Sequence, residues 1–311
     1  MVPNRLAVKV LALLGVVLLS APGFAAEKVL LRCNYKPGDK YLVVMDSERN
    51  IVQEVAGQTN RVKQTMRMDM GMDVLAVDPE GTAEVKFTHR RIALKMESPR
   101  GTVDYDSADP QKANVDHAML IGFKVLVGKS ITITLTNRGE VKGVKGVKEI
   151  MEGIIAQIPE GPERENARRQ LAATMDDERF SQQMTGFSVL LPVDPVGVGE
   201  TWKREQKTDL GFMNVLLKTD YKVGKITPDA VEVAVDSKIE TVAGSAPDPA
   251  MTVTMKEGSL AGTTKINRAN AALYSGTLTQ NVKMDVTMRG RTEKREITGT
   301  ASVTVKPEAG P

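Results

Sequence analysis

The sequence predicts a mainly β fold, with two antiparallel twisted sheets or half-barrels that could be related by duplication and a central helical segment packed on them. Two observations lead to this prediction. Apolar and polar residues alternate with period two on both sides of residues 146–192, as in strands with one buried face. Only within residues 146–192 do apolar residues recur with a strong helical period. We therefore predict a signal peptide (1–25), an N-terminal β-rich half (26–145), a helical divider (146–192), a C-terminal β-rich half (193–306) and a tail (307–311).

The first 25 residues have the layout of a secretory signal peptide. Arg5 and Lys9 precede an uncharged apolar run at residues 10–19, and the small residues Gly23 and Ala25 fit a cleavage site after Ala25. The run is shorter than the roughly 20 residues of a bilayer-spanning helix, so we expect cleavage rather than a membrane anchor. The sequence thus predicts an exported protein, periplasmic or extracellular, that is soluble after signal cleavage.

Charge and cysteine content argue against several classes of function. The full chain has a net charge of +3. Loss of Arg5 and Lys9 with the signal peptide, which contains no acidic residue, would reduce it to +1. Such a balance gives no long-range attraction to nucleic acid, so we expect no nucleic-acid partner. Cys33 is the only cysteine and has no internal disulfide partner, and charged residues between it and the apolar run argue against lipidation.

The most regular strand pattern is rich in methionine. Met66, Met68, Met70 and Met72 fall on one face of a strand, whereas charged residues dominate the other face. A turn at residues 78–81 leads into a strand whose apolar parity slips across residues 88–91. We expect a bulge or a corner at that slip.

The helical divider begins with the widest apolar stripe of the chain. Pro159 and Gly161 end this first helix, a second follows from Pro162 to Met175, and Asp176 can cap a third. Because such a stripe must be covered, we expect the helices to pack on the dry faces of the sheets. The stripe consists of Val147, Ile150, Met151, Ile154, Ile155 and Ile158.

Short segments of the two halves echo each other. Residues 37–41 and 198–202 both combine a glycine, an acidic residue and an aromatic residue at the start of a β-region. Residues 78–81 and 227–229 are similar turns, followed by Ala-Glu-Val at residues 83–85 and by Val-Glu-Val at residues 231–233. Similar turns also arise by chance, so the sequence leaves an internal duplication open.

A series of short motifs follows the chain at residues 35–41, in the methionine-rich strand after Gln64, and at residues 101–107, 137–141 and 191–202. Their order resembles a family of exported bacterial proteins known only as a domain of unknown function. The resemblance extends over most of the mature chain and brings no known activity. A looser architectural likeness is to periplasmic lipoprotein carriers, in which an open half-barrel wraps helices around an apolar cavity; this implies only a hypothesis.

The methionine strand and the first helix of the divider are the candidate ligand-binding region. Methionine side chains repack easily and suit a wall around lipid or another apolar small molecule. They could also bind Cu(I), because alternate residues of a strand stand about 7 Å apart, or simply fill a core. The candidate ligand-binding residues are Met66, Met68, Met70, Met72, Ile150, Met151, Ile154 and Ile155.

No catalytic constellation is recognisable. His89 and His117 are the only histidines, and neither has a carboxylate or a second metal ligand at a meaningful spacing. We therefore predict no enzyme, no catalytic residues, no metal and no cofactor. The leading hypothesis is a non-enzymatic exported protein that binds an apolar ligand such as lipid between sheet and helices. The alternative is a structural or adaptor protein of the envelope that acts through protein–protein contacts.

Overall fold

The structure is a computed structural model that describes residues 27–308 except 175, 188, 210–212, 243–250, 271–272 and 289. The predicted signal peptide and residues 309–311 of the predicted tail lie outside these residues. The strands are β1 (Lys28–Val29), β2 (Lys40–Val55), β3 (Gln58–Val77), β4 (Ala83–Ser98), β5 (Gly101–Asp106), β6 (Ser130–Leu135), β7 (Val141–Lys145), β8 (Val196–Gly197), β9 (Thr201–Asp209), β10 (Asn214–Ile226), β11 (Ala230–Thr241), β12 (Met251–Asn267), β13 (Leu273–Met288) and β14 (Arg291–Pro307). The helices are α1 (Ile121–Leu126), α2 (Val147–Ile155), α3 (Pro162–Thr174) and α4 (Asp177–Phe187).

The predicted antiparallel β fold is confirmed, and its two halves join in one large sheet. The strand order is β7-β6-β4-β3-β2-β14-β13-β12-β11-β10-β9, with β5 also paired to β4. The halves meet where β2 pairs with β14, from Tyr41 opposite Pro307 to Val55 opposite Glu293. Strands β1 and β8 form a separate two-stranded sheet.

The large sheet curls so that its two edge strands face the same helix. Helix α4 contacts both β7 and β9. The Thr185 hydroxyl donates to the Val141 carbonyl of β7 (3.4 Å), and Arg204 of β9 donates to the Thr185 carbonyl (2.5 Å). An 11-residue helix is about 16 Å long, whereas the strands from edge to edge would span about 50 Å if flat. The sheet is therefore strongly curved, and α4 occupies the gap between its edges.

The helices of the divider begin and end close to the predicted positions, although Met175 lies outside the described residues. Asp177, the first residue of α4, accepts a hydrogen bond from the Val147 amide at the start of α2 (2.9 Å). This bond satisfies one of the free amides of a helix N-terminus. No helix of the described residues is long and apolar enough to cross a lipid bilayer.

Asp109 and Pro110 have the sequence pattern of a helix N-cap and first helical residue, which predicts a short helix running towards Gly122. This prediction is wrong for residues 109–117. They form turns and irregular structure, in which the Lys112 and Ala113 amides donate to the Asp109 carbonyl. The helix α1 begins at residue 121, after a 3₁₀ turn at residues 118–120. The reason is packing, because the later, more apolar stretch brings Leu120 onto the sheet, where its side chain is fully buried.

The bulge expected within residues 88–91 is confirmed. Asp69 of β3 lies opposite Arg91, but the next residue, Met70, lies opposite His89, so that Arg90 is the extra residue of β4. The Arg90 guanidinium binds both carboxylate oxygens of Glu308 after β14 (2.5 and 2.9 Å).

Corresponding backbone hydrogen bonds support an internal duplication. In each half a glycine with positive φ donates to a valine carbonyl, and that valine donates to the acidic residue after the glycine. The register then shifts directly after each valine. The two sets are Gly38, Val74 and Asp39 (2.9 and 2.9 Å), and Gly199, Val223 and Glu200 (2.8 and 2.9 Å).

The matching turns before β2 and β9 make these two strands the first of their halves. The two junctions of the sheet can therefore be compared. At one junction the first strand of one half, β2, pairs directly with the last strand of the other, β14. At the other junction the equivalent strands β9 and β7 are instead bridged by α4.

Candidate functional site: the inner face of the sheet

The register of the strands identifies the inner face of the sheet. Directly opposed residues of neighbouring antiparallel strands lie on the same face. One row of opposed residues runs from β9 to β5 and has large side chains at its ends and small ones in its middle. In order, it contains Trp202, Tyr221, Val235, Gly262, Leu278, Ala301, Ser47, Met66, Leu94 and Tyr105.

The ends of this face are buried beneath other parts of the chain. Tyr221 is 4% exposed and packs in a cluster with Leu31 and Leu191. At the other end Leu94 is 2% exposed and packs with Leu120. These contacts are the cores of the two halves.

The middle of the inner face is open within the described residues. Met45 is 38% exposed, and Ala301 is exposed although both belong to the inner face. Their neighbours are only half-buried. We call this surface the inner trough, and its residues are Met45, Ser47, Met66, Met68, Leu278, Ala301 and Val303.

Small residues shape the trough because the strands bend closely around it. A Cβ atom added to Gly262 would overlap the Thr277 carbonyl oxygen of the neighbouring strand and lie 2.9 Å from the Leu278 Cα. Glycine inside a strand often marks such a bend or a close backbone approach. Gly262 has no side chain, and those of Ser47 and Ala301 are small, so the surface here is shallow.

A cation lies directly beside the trough. Arg49 belongs to the next row of the inner face, opposite Gly299 and Gln64. It is exposed and makes no ion pair with any described residue. A Cβ at Gly299 would lie 3.2 Å from the Arg49 Cγ, so glycine leaves room for the arginine stem. The surface therefore combines apolar side chains with a guanidinium that has no ion-pair partner in the described part of the chain.

The structure divides the predicted methionine set. Met66 and Met68 line the trough and pack on the cluster of Leu94 and Leu120. Met72 is buried, and Met70 packs against the same core as Met72, with Tyr41, Val43 and Val85.

The predicted helix residues lie in yet another cluster. Ile150 is buried there, and Met151 and Ile154 pack against it, over the inner face of β6 and β7. Ile155 is also buried. Phe87 contacts both this cluster and that of Met72. Sheet and helix residues are thus neighbours through Phe87 rather than walls of one shared pocket.

Sequence reasoning missed Met45, Ala301 and Arg49, although the period-two pattern of β2 contains the signal for Met45 and Arg49.

The outer face carries a second, shallow groove of about 710 Å³. Several of its charged side chains are paired. Lys112 donates to Asp104 (2.8 Å), Arg67 lies 3.6 Å from Asp46, and Asp106 accepts two hydrogen bonds from Arg91 beside the groove (3.0 and 2.6 Å). The hydrogen bond from Arg91 holds the pKa of Asp106 below its usual value. The charged residues of this groove are therefore explained as ion pairs on the surface of the sheet.

Acid–base and metal chemistry find little support among the described residues. These residues contain no group of three or more His, Cys, Asp or Glu side chains that could hold a metal ion. The His89 ring approaches the Lys129 carbonyl (3.3 Å), and burial lowers the pKa of His89. His117 accepts from the Met119 amide at the 3₁₀ turn (3.3 Å). Burial raises the pKa of the Cys33 thiol to about 11, which opposes nucleophilic reactivity near neutral pH.

Comparison with protein-family models shows which family the chain belongs to but gives no activity. The model of a family of unknown function, DUF6263, matches residues 80–273, which is more than half of the chain. The chain belongs to the DUF6263 family. This finding agrees with the resemblance to an uncharacterised family. A search of the curated proteins finds no match for this DUF6263 protein.

Several solved structures match this DUF6263 protein at low similarity. Lipovitellin, from a study of lipid–protein interactions, is 10% identical with a TM-score of 0.49, and the match covers 89% of this chain but only 26% of lipovitellin. The translocator domain of the autotransporter NalP from Neisseria meningitidis is 9% identical (TM-score 0.26; 86% and 90% covered). A β-barrel-like DUF1849 protein from Brucella abortus is 9% identical (TM-score 0.19; 89% and 100% covered). These scores are too low to transfer a function.

Proposed function

We propose that this DUF6263 protein is a non-enzymatic, exported binding protein that holds the apolar chain of an amphiphile, such as a lipid, in the inner trough. The observation that carries the proposal is the exposure of Met45 and Ala301 on the face that is otherwise the dry side of the sheet. This apolar strip lies open between two filled cores. A ligand bound there would gain the free energy of burying apolar surface that the chain itself leaves exposed. Export rests on the signal peptide predicted at residues 1–25.

The chemistry of the trough favours a flexible hydrocarbon chain. Each buried methylene contributes about 0.8 kcal/mol, and a chain can follow the shallow strip formed by the small residues. Met45, Met66 and Met68 can adapt to different chain shapes, because methionine is unbranched and polarizable. In this proposal Met66 and Met68 contact the ligand, and the other predicted residues are packed in neighbouring cores that support the trough; these are Met70, Met72, Ile150, Met151, Ile154 and Ile155.

Arg49 supports an acidic head group. Its guanidinium is next to the apolar strip and has no ion-pair partner among the described residues. Arginine binds carboxylate or phosphate through two parallel hydrogen bonds. A fatty acid or an anionic lipid would therefore place its chain on the trough and its head at Arg49.

Two tryptophan variants test whether the inner face binds the chain. Ala301→Trp fills the trough and should abolish laurate binding, measured by isothermal titration calorimetry. Ala261→Trp is the matched control, because Ala261 is also an exposed alanine of a long strand but lies on the outer face, opposite Asp236 and Thr279. It should bind laurate as the wild type does. Native mass spectrometry of protein purified without detergent should show a bound ligand on the wild type and on Ala261→Trp, but none on Ala301→Trp.

The head-group assignment has a separate test. Arg49→Gln should weaken laurate binding about tenfold, the effect of losing a hydrogen bond to a charged group, while binding of dodecanol stays unchanged. Equal weakening of both ligands would refute the role of Arg49. If neither ligand binds the wild type, the proposal is wrong, and the envelope adaptor becomes the better hypothesis.

A further inference from the structure

A further cavity, of about 310 Å³, lies at the end of the sheet where β2 begins and β14 ends. It shares no lining residue with the inner trough, and the buried pair Val43–Val305 lies at its margin, next to the trough pair Met45–Val303, so it is a separate site. In contrast to the trough, its lining is mainly polar. The side chains that matter here are Asp39, Tyr41, Asn267, Asn270, Tyr274 and Glu308.

Tyr274 is unusual among the aromatic residues of this chain. It is 50% exposed, and no other Phe, Tyr or Trp of the described residues is a large exposed apolar side chain. Tyr41, Tyr105 and Tyr221 are all buried. An exposed aromatic ring that lines a cavity offers a flat apolar surface with a hydroxyl at its edge.

A β-bulge presents this ring to the cavity. Lys265 of β12 lies opposite Ser275, but the next residue, Ile266, lies opposite Leu273. Tyr274 is therefore the extra residue of β13. Bulges of this kind redirect a side chain away from the regular alternation and occur often beside binding sites.

Hydrogen-bonding groups held by neighbouring residues line the same cavity. The Tyr41 hydroxyl donates to Asp39 Oδ2 (3.3 Å) and accepts from Asn270 Nδ2 (3.3 Å). Burial and the neighbouring Asp39 raise the pKa of Tyr41, which keeps the hydroxyl protonated. Asn267 Oδ1 accepts from the Ala269 amide (2.8 Å), whereas no described residue pairs with Asn267 Nδ2.

Glu308 also lines the cavity, and its carboxylate is held in place. Arg90, the bulge residue of β4, binds it through two hydrogen bonds. The lining of the cavity thus combines amide groups, the carboxylates of Asp39 and Glu308, the ammonium of Lys40 and an exposed aromatic ring.

We propose that this cavity binds a saccharide unit, with one sugar ring stacked on Tyr274. The face of a pyranose is formed by C–H groups, which suit an aromatic ring, and its rim carries hydroxyl groups that both donate and accept. Carboxylate and amide side chains supply both kinds of partner. A volume of about 310 Å³ is at the small end of ligand pockets and fits a mono- or disaccharide. The sugar can be free or the end of an envelope glycan.

Saturation-transfer NMR with a defined sugar panel tests this proposal on the mature wild-type protein. The panel contains glucose, galactose, mannose, N-acetylglucosamine and disaccharides of each, at up to about 10 mM, above the weak-binding range expected for single sugars. At least one sugar should bind. Tyr274→Ala should weaken its binding about tenfold, and Tyr274→Phe should weaken it no more than about threefold, because the ring is kept.

Met288→Ala is the matched control. Met288 lies at the other end of the same strand and is 52% exposed, so this variant removes an equally exposed side chain outside the cavity. It should bind the sugar as the wild type does. Extended glycans that bind with the same Tyr274 dependence but more tightly than monosaccharides would identify an envelope glycan as the source.

Three results would overturn the proposal. One is the absence of binding by every sugar of the panel, and another is sugar binding that Tyr274→Ala leaves unchanged. The third is binding of tetramethylammonium but of no sugar, which would mean that the ring and Asp39 form a cation site. None of these outcomes bears on the inner trough, because the two sites have different lining residues.

Discussion

Asp106 shows how single ion pairs on the outer face should shape the pH dependence of stability. Its carboxylate accepts two hydrogen bonds from Arg91 and a third from the Ala108 amide (3.0 Å). These bonds lower its pKa in the folded state. A carboxyl group with a lowered folded-state pKa stabilises the fold above its unfolded pKa, and this contribution disappears as the pH falls through the folded pKa.

We therefore expect Asp106→Asn to lower the free energy of unfolding by about 1 kcal/mol at pH 7. The difference from the wild type should shrink below about pH 4 and vanish once the wild-type carboxyl is protonated. Urea unfolding between pH 2 and pH 7 measures this. Asp116→Asn is the control, because Asp116 is exposed and has no ion pair among the described residues, and it should leave the curve unchanged. A constant deficit at every pH would contradict the ion-pair explanation.

Much of what individual residues do in this fold is visible in the sequence, but their exposure is not. The period-two pattern correctly places Met66 and Met68 on the inner face. It also places Met72 there, yet Met72 is buried whereas Met45, on the neighbouring strand, is 38% exposed. The difference depends on what covers each part of the sheet. Local alternation contains no information about that cover.

At the level of single elements, glycine positions decide how far the strands can bend. Gly262→Ala should destabilise the fold by about 2–3 kcal/mol, because the added Cβ would overlap the Thr277 carbonyl and crowd Leu278. Gly143→Ala, in β7, is the matched control, since no atom lies within 4 Å of its added Cβ. It should change stability by less than about 0.5 kcal/mol. Both values come from urea unfolding at neutral pH. Equal effects would mean that the bend at β12 tolerates a side chain.

Helix periodicity and turn residues are the features that the sequence predicts best. The predicted helices of the divider and the bulge between β3 and β4 are found close to their expected places. The helix expected from Asp109 is not, because a capping residue and a proline mark a possible start but do not guarantee a helix. The turns at residues 109–117 lack an apolar stripe like that of α2, and the following residues, which include Leu120, supply the apolar contact.

At the scale of the whole molecule, the sequence does not reveal which strands become partners. The pairing of β2 with β14 joins residues more than 200 positions apart, from Tyr41 with Pro307 to Val55 with Glu293. Alternation specifies which face a residue takes, but long-range pairing depends on the packing of the complete chain. The duplicated turns hint at two equivalent halves. Only the structure shows that one junction between them is a strand pair and the other a helix.

These two junctions should differ in their local stability. The β2–β14 junction is a continuous ladder of backbone hydrogen bonds. At the other junction, α4 is held to the edge strands by bonds such as those of Thr185 with Val141 and Arg204. Elements with few buried contacts and hydrogen bonds open at a lower free energy than core ladders. Native-state hydrogen exchange should therefore find lower opening free energies in α4 and β7 than in β2 and β14.

Arg204 allows this difference to be tested without disturbing the ladder. Arg204→Lys keeps the charge but loses the planar fork that reaches the Thr185 carbonyl and Gln206. It should lower protection in α4 and β7 by about tenfold, the effect of losing a hydrogen bond to a charged group. Protection in β2 and β14 should stay unchanged as long as global stability exceeds the local opening energy. If all four elements instead lose protection together, α4 opens only with the whole sheet. The helix would then be an integral part of the curved sheet and not a cover that opens separately.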